Sequence, residues 1–115
     1  MRRTTLLKVG KRPDVTLRHQ ASGKEFNAKG YTIVLGCDPV AAQILIRTAE
    51  EKHVSGRHAE IQFRSDGSVK LRDLGSRNGT WLNDRSAKDE MPSRVGDRLI
   101  LGAAATTLVV GKLGG

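Results

Sequence analysis

The sequence predicts an all-β protein, a sandwich of two mostly antiparallel sheets. Apolar and polar residues alternate in several short segments, as they do in strands that bury one face. Gly, Asp, Asn and Ser separate these segments at short, regular intervals, which favours a sandwich. No segment has a convincing helical pattern, and a chain of 115 residues has room for one domain with a single core.

The N-terminal part of the chain predicts four strands. Residues 15–19 and 24–27 lie on either side of an Ala21-Ser22-Gly23 turn and predict a hairpin. Residues 31–35 are largely apolar and predict a buried strand, and residues 43–46 predict another.

The alternation is clearest in the middle of the chain. In residues 58–64, three apolar side chains fall on one face and polar or charged side chains fall on the other. Ser65-Asp66-Gly67-Ser68 supplies turn residues, and residues 69–72 resume the alternation. These two segments therefore predict a second hairpin.

The C-terminal part closes the sandwich. Residues 83–97 are polar and charged, and we expect a loop there. Residues 98–101 and 106–110 predict the last two strands. Because the chain has one Trp, one Tyr and two Phe, its core must consist mainly of Val, Ile, Leu and Ala.

Two polar loops lie at the ends of the predicted hairpin of residues 58–72. Val54-Ser55-Gly56-Arg57-His58 leads into it, and Asp73-Leu74-Gly75-Ser76-Arg77-Asn78-Gly79-Thr80 follows it. Loops held by a rigid sheet can present backbone N–H groups to an anion. The two motifs, S-x-R-H and D-L-G-S-x-N-G-T, resemble those of the forkhead-associated (FHA) domain.

The resemblance extends over nearly the whole chain and implies both a fold and a function. It covers residues 14–111, preceded by a basic leader (1–13) that is a candidate for disorder and followed by a tail (112–115). It implies an FHA-like β-sandwich with its binding loops at one end. The implied function is phosphothreonine-dependent protein–protein interaction in signalling or assembly, with a phosphothreonine-containing protein or peptide as partner.

The resemblance also assigns roles to individual residues. Those it implies for phosphopeptide binding are Ser55, Gly56, Arg57, Arg77 and Asn78. The serine would contact phosphate through its hydroxyl and backbone, and the asparagine would hydrogen-bond the peptide backbone. Arg77 could offer paired charge-assisted hydrogen bonds.

Further residues receive supporting or structural roles by the same resemblance. His53 lies where the family sets its preference for residues after the phosphothreonine, and Arg47 could supply a compensating charge. The structural positions are Gly36, His58 and Gly79, where the histidine braces the loop that carries the serine.

The sequence departs from the family at Cys37. The family normally has Gly-Arg in this loop, and that arginine is a principal phosphate contact, whereas this chain has Gly36-Cys37. Hydrogen bonds to charged groups contribute about 1.5–3 kcal/mol, so the replacement should weaken binding roughly ten- to a hundredfold. The departure favours the alternative function, a non-canonical FHA-fold scaffold that binds its partner independently of phosphate. We expect a small buried hydrophobic residue here rather than a redox-sensitive nucleophile.

The net charge of +8 attracts acidic surfaces, phosphates and nucleic acids. Nucleic-acid binding is therefore a third hypothesis, supported by basic residues in the leader, namely Arg2, Arg3, Lys8, Lys11 and Arg12. Aromatic residues make up only 3% of the chain, too few for a base-stacking platform. Since no basic helix is available to enter a groove either, nucleic acid is a disfavoured partner.

The sequence gives little support for catalysis or metal binding. Ser55, His58 and Asp73 are the residue types of a catalytic triad, but no G-x-S-x-G elbow is present and the FHA family is non-enzymatic. Because no C-x-x-C or H-E-x-x-H spacing occurs either, we expect no enzyme activity, metal or cofactor.

The same sequence features predict the setting of the protein. No apolar run approaches the ~18 residues of a membrane span, and no secretory signal is present. We therefore expect an intracellular protein of the nucleus or cytoplasm, with no membrane partner. It would be a monomer or part of a larger protein.

Overall fold

The computed structural model describes residues 12–47 and 53–114, and within them the protein is all-β with no helix. Two sheets enclose one core, and every strand pair is antiparallel except β3 with β4. The predicted sandwich is confirmed. The strands are β1 (Asp14–His19), β2 (Glu25–Lys29), β3 (Thr32–Gly36), β4 (Ile44–Leu45), β5 (Ala59–Phe63), β6 (Val69–Asp73), β7 (Thr80–Leu82), β8 (Arg85–Ser86), β9 (Met91–Pro92), β10 (Arg98–Leu101) and β11 (Thr107–Leu113).

The two predicted hairpins lie in different sheets. The first sheet has the order β2-β1-β11-β10-β7-β8, and the second has the order β4-β3-β5-β6-β9. The hairpin β1–β2 therefore lies at one edge of the first sheet, whereas the hairpin β5–β6 is central in the second sheet. The chain passes from the second sheet to the first between β6 and β7, in the segment that carries the D-L-G-S-x-N-G-T motif.

The core is aliphatic, as the composition predicts. Leu17 and Leu108 from the first sheet and Ile33 and Ile61 from the second have no exposed surface. Phe26 and Phe63 are only half-buried and pack at the margin of this core. Burial of aliphatic side chains provides the main stabilisation of such a domain, at about 1.5–3 kcal/mol for each large side chain.

The polar segment after β7 contains two strands, so the expectation of a continuous loop at residues 83–97 is wrong. Asn83 and Asp84 both have positive φ (49° and 70°) and form the turn between β7 and β8. Asn and Asp tolerate this backbone region better than other non-glycine residues, and two such residues in succession are typical of a tight hairpin. The second strand, β9, ends in Pro92 at the sheet edge, where a missing N–H donor is tolerated.

Ala87, in the same segment, connects the two sheets through its backbone. Its side chain is fully buried. Its N–H donates to the carbonyl of Thr80 at 2.8 Å, and its carbonyl accepts the N–H of Asp73 at 3.0 Å. The segment after β8 is therefore anchored beside both ends of the β6–β7 loop.

The chain ends differ in how much of them the structure describes. Residues 1–11 of the expected leader lie outside the described residues. At the other end, β11 continues to Leu113, so the first two residues of the expected tail belong to a strand that pairs with β1.

Candidate functional site

The loops that the sequence singled out meet at one end of the sandwich. The N–H of Cys37, after β3, donates to the carbonyl of Ser55 at 3.1 Å. The hydroxyl of Ser55 in turn accepts the N–H of Arg77, in the β6–β7 loop, at 3.0 Å. The β10–β11 turn joins them, because the N–H of Gly102 donates to the carbonyl of Gly79 at 2.9 Å. Hydrogen bonds therefore connect all of these loops.

A pocket of about 260 Å³ opens between these loops, and it is called the serine pocket below. Its lining consists of Cys37, His53, Val54, Ser55, Gly56, Arg77 and Asn78. It thus brings together four of the five residues expected to bind phosphopeptide, together with His53 and Cys37. The remaining two candidates, Arg57 and Arg47, are exposed but do not belong to this lining.

Gly36 permits the close approach of the loops. A Cβ atom added at this position would lie 1.9 Å from the carbonyl oxygen of Gly56, far inside van der Waals contact. The N–H groups of the two residues that follow, Cys37 and Asp38, donate to the carbonyls of Ser55 and Gly56 at 3.1 and 3.3 Å. Only a glycine at position 36 therefore allows this pairing.

His58 supports the serine from beneath. Its side chain is completely buried, and its Nδ1 accepts the N–H of Ser55 at 3.0 Å. Because Nδ1 is an acceptor, the ring proton lies on Nε2, which donates to the carbonyl of Gly79 at 2.7 Å. Burial lowers the pKa of His58 and outweighs the opposing effect of the bond to Gly79, so the neutral ring is favoured.

Asn78 and His53 are joined at the rim of the pocket. The side-chain Nδ2 of Asn78 donates to the carbonyl of His53 at 3.1 Å. Asn78 itself is exposed, and an amide has a second N–H and an acceptor oxygen beyond this bond. The bond fixes the amide in one orientation at the pocket edge, where it has capacity for a further polar contact.

Asp73 organises the β6–β7 loop, a role that the sequence interpretation did not assign. Its carboxylate accepts the N–H groups of Gly75 and Ser76, both at 2.9 Å, and the hydroxyls of Ser76 and Thr80. Partial burial is the largest single effect and raises the pKa of Asp73. The hydrogen bonds from Ser76, Thr80 and Gly75 together outweigh it and hold the pKa below its usual value. An Asp two residues before a Gly is the sequence signal for such a turn.

The residue types of a catalytic triad do not form one. The ring of His58 bonds to the backbone N–H of Ser55 and not to its hydroxyl. The carboxylate of Asp73 bonds to Ser76 and Thr80, whereas the second nitrogen of His58 faces the carbonyl of Gly79.

Neither a metal cluster nor a membrane helix occurs in the described part of the chain. Among residues 12–47 and 53–114, no three His, Cys, Asp or Glu side chains are grouped so that they could hold a metal ion. The same residues contain no helix with the length and apolar character that a membrane crossing requires.

The family follows from a direct comparison. A family model of the FHA domain matches residues 33–102, which include every residue of the serine pocket lining given above. The chain belongs to the FHA domain family. Members of this family are interaction modules. Among curated protein sequences, no significant match to the chain was found.

Solved FHA structures share the fold over most of their length. A domain from a structural and functional study of phosphothreonine-dependent FHA interactions is 28% identical, with a TM-score of 0.69 over 85% of this chain and 95% of that chain. The FHA domain of FhaA, complexed with the intracellular domain of Rv3910, is 29% identical with a TM-score of 0.68, over 84% and 98%. The FHA domain of the CT664 protein from Chlamydia trachomatis is 27% identical with a TM-score of 0.71, over 86% and 97%.

Proposed function

We propose that this FHA domain binds phosphothreonine-containing segments of partner proteins in the serine pocket. The observation that carries the proposal is that Ser55, Gly56, Arg77 and Asn78, which come from two separate motifs, line one pocket at the loop end. A similar domain, 28% identical, is described as phosphothreonine-dependent. A kinase acting on the partner would then determine when the complex forms.

The chemistry of the pocket suits a phosphate group. A phosphothreonine carries about −1.5 to −2 charges and three strong acceptor oxygens. The lining offers the hydroxyl of Ser55 and the guanidinium of Arg77, and none of its described residues is a carboxylate. Because the Ser55 backbone is held by His58 and its hydroxyl by the N–H of Arg77, the serine is positioned before a ligand arrives.

Cys37 stands where the family has its phosphate-contacting arginine, and we propose that Arg77 takes over as the principal cation. The Cys37 side chain is half-buried against the core, and its Sγ–H donates to the carbonyl of Val54 at 3.3 Å. A thiol in this position supplies no positive charge to the pocket. We therefore expect phosphopeptide affinity to lie about ten- to a hundredfold below that of an FHA domain with the arginine.

The other residues act around this centre. We propose that Asn78 bonds the peptide backbone and that His53, which lies in the lining, contributes to the preference for neighbouring peptide residues. Gly36, His58 and Gly79 maintain the loop geometry. The interaction module would span residues 14–111 and act inside the cell, where its partner is phosphorylated.

A second function, phosphate-independent scaffolding, is favoured by one observation. Among the described residues that line the serine pocket, Arg77 is the single arginine or lysine. By the resemblance of the loop sequence to the family motif, Cys37 stands at the position of a second cation. If one cation is insufficient to bind a phosphate group, the domain would bind its partner through other surfaces, independently of phosphorylation.

Calorimetric titration with a degenerate phosphothreonine peptide library and with its unphosphorylated counterpart separates the two functions. The proposal predicts micromolar binding of the phosphorylated library alone. Equal heats from both libraries would exclude the phosphopeptide function and leave the scaffold.

A further inference from the structure

A second depression lies beside the serine pocket, and it is called the lysine groove below. It has a volume of about 450 Å³, and its lining includes Asp73, Arg77, Gly79, Ser86 and Lys88. Arg77 also lines the serine pocket, so the two depressions share one arginine. The groove exists because Ala87 anchors the segment after β8 next to the β6–β7 loop.

The charges of the lysine groove favour an anion. Arg77 and Lys88 are both exposed, and each carries a positive charge that can reach a ligand. The segment that carries Lys88 is turned back on itself, because the N–H of Lys88 donates to the hydroxyl of Ser86 at 3.3 Å. Two positively charged side chains, one from each segment, therefore line the groove.

Asp73 is the only carboxylate among the described residues of this lining, and its oxygens already accept hydrogen bonds from neighbouring residues. Its two oxygens accept hydrogen bonds from Gly75 and Ser76 in the β6–β7 loop and from Thr80 at the start of β7. In the free protein the described residues of the lining keep a net positive charge, two cations against one carboxylate.

We propose that the lysine groove binds a second anionic side chain of the same phosphopeptide, an acidic residue or a second phosphorylated residue. The inference rests on the proposed function and deepens it, since it defines the class of peptide. An extended peptide advances about 3.3–3.6 Å per residue, so a depression that shares a side chain with the first is reached within a few residues. The second contact also restores positive charge that the serine pocket lacks through Cys37.

The test uses phosphothreonine peptides that differ in one position. A neutral reference peptide is compared with peptides that carry Glu or phosphoserine at each position up to four residues on either side of the phosphothreonine. At one offset, Glu should strengthen binding about two- to fivefold, the range of an exposed ion pair. Phosphoserine, with more charge and more acceptors, should strengthen it about tenfold. The ratio of the two gains shows which source of negative charge the groove prefers.

Lys88→Gln should abolish the gain and leave the affinity for the neutral phosphothreonine peptide within about twofold, because the lysine is exposed and outside the serine pocket. Lys24→Gln is the matched control. It removes the same charge from the residue just before β2, at the opposite edge of the first sheet from β8, and should preserve the gain.

The outcomes separate the groove from the proposed function. Intact binding of the neutral phosphothreonine peptide with no gain at any offset would overturn the lysine groove alone. An equal reduction of the gain by Lys24→Gln and Lys88→Gln would also overturn it, because net charge would then account for the effect. Absence of any phosphate-dependent binding would overturn the proposed function and the groove with it.

Discussion

Replacing Ser55 by alanine should separate ligand binding from fold stability. In the free protein the Ser55 hydroxyl accepts one hydrogen bond, from the N–H of Arg77 at 3.0 Å. Because Arg77 is exposed, water can replace the lost acceptor, and the free energy of unfolding should fall by only about 0.5–1 kcal/mol. The bond from the hydroxyl to a phosphate involves a charged partner and contributes about 1.5–3 kcal/mol, so the Kd should rise roughly ten- to a hundredfold.

The assay combines calorimetry with a phosphothreonine peptide and urea unfolding of the same samples. Ser65→Ala is the matched control, since this serine is exposed after β5 in the turn that leads to β6. It should change neither quantity beyond error. An unchanged Kd for Ser55→Ala would show that the hydroxyl does not contact the phosphate. A loss of stability as large as the loss of binding energy would show that the serine acts through the loop fold alone.

Three further predictions concern the loop end. Gly36→Ala places a Cβ 1.9 Å from a carbonyl oxygen, so it should destabilise the domain by about 1–3 kcal/mol and reduce peptide binding. The control is Gly111→Ala, whose Cβ has contacts no shorter than 3.5 Å. In parallel thermal melts and peptide titrations, the control should change neither stability nor binding. Cys37→Arg should tighten phosphopeptide binding about tenfold or more, whereas the control Cys37→Ser should not. Equal phosphopeptide affinities of these two variants in fluorescence titrations would contradict the proposal that position 37 is that of the family's phosphate-contacting arginine. Burial lowers the folded-state pKa of His58, so the unfolded state binds its proton first as pH falls. The stability that neutral His58 contributes should therefore be complete above the unfolded pKa of about 6.5 and should be lost as the pH falls from there toward the folded pKa. His58→Asn cannot take up this proton, so its free energy of unfolding should depend less on pH. Parallel pH curves for the two proteins would count against the buried neutral ring.

Local patterns in the sequence predicted most of the fold because several of the longer strands alternate between a buried apolar face and a polar one. The alternation around Ile61 and Leu71 identified β5 and β6, and both side chains are buried. The β7–β8 hairpin was missed because its turn, Asn83-Asp84, contains no glycine, although both residues tolerate positive φ. Burial of the small Ala87 depends on its hydrogen bonds to both sheets, which no local pattern reveals.

The site was predicted in part for a similar reason. The two motifs correctly predicted that Ser55 and Asn78 line one pocket. Residue type alone could not predict which of the nearby arginines would line it as well. Arg57 directly precedes the fully buried His58, and it is itself exposed outside the lining. Lys88 was not considered at all, because its approach to Arg77 depends on the missed hairpin.

An NMR titration of the ¹⁵N-labelled domain with a phosphothreonine peptide, and with the same peptide unphosphorylated, would show whether the serine pocket binds phosphothreonine. The Trp81 indole is a useful reporter, because its ring lies over Gly79, 2.9 Å from where a Cβ of that residue would be. We expect only the phosphorylated peptide to shift signals, with the largest shifts on Ser55, Gly56, Arg77 and Asn78. Shifts of equal size with both peptides, or shifts centred on a sheet face away from these loops, would contradict this expectation.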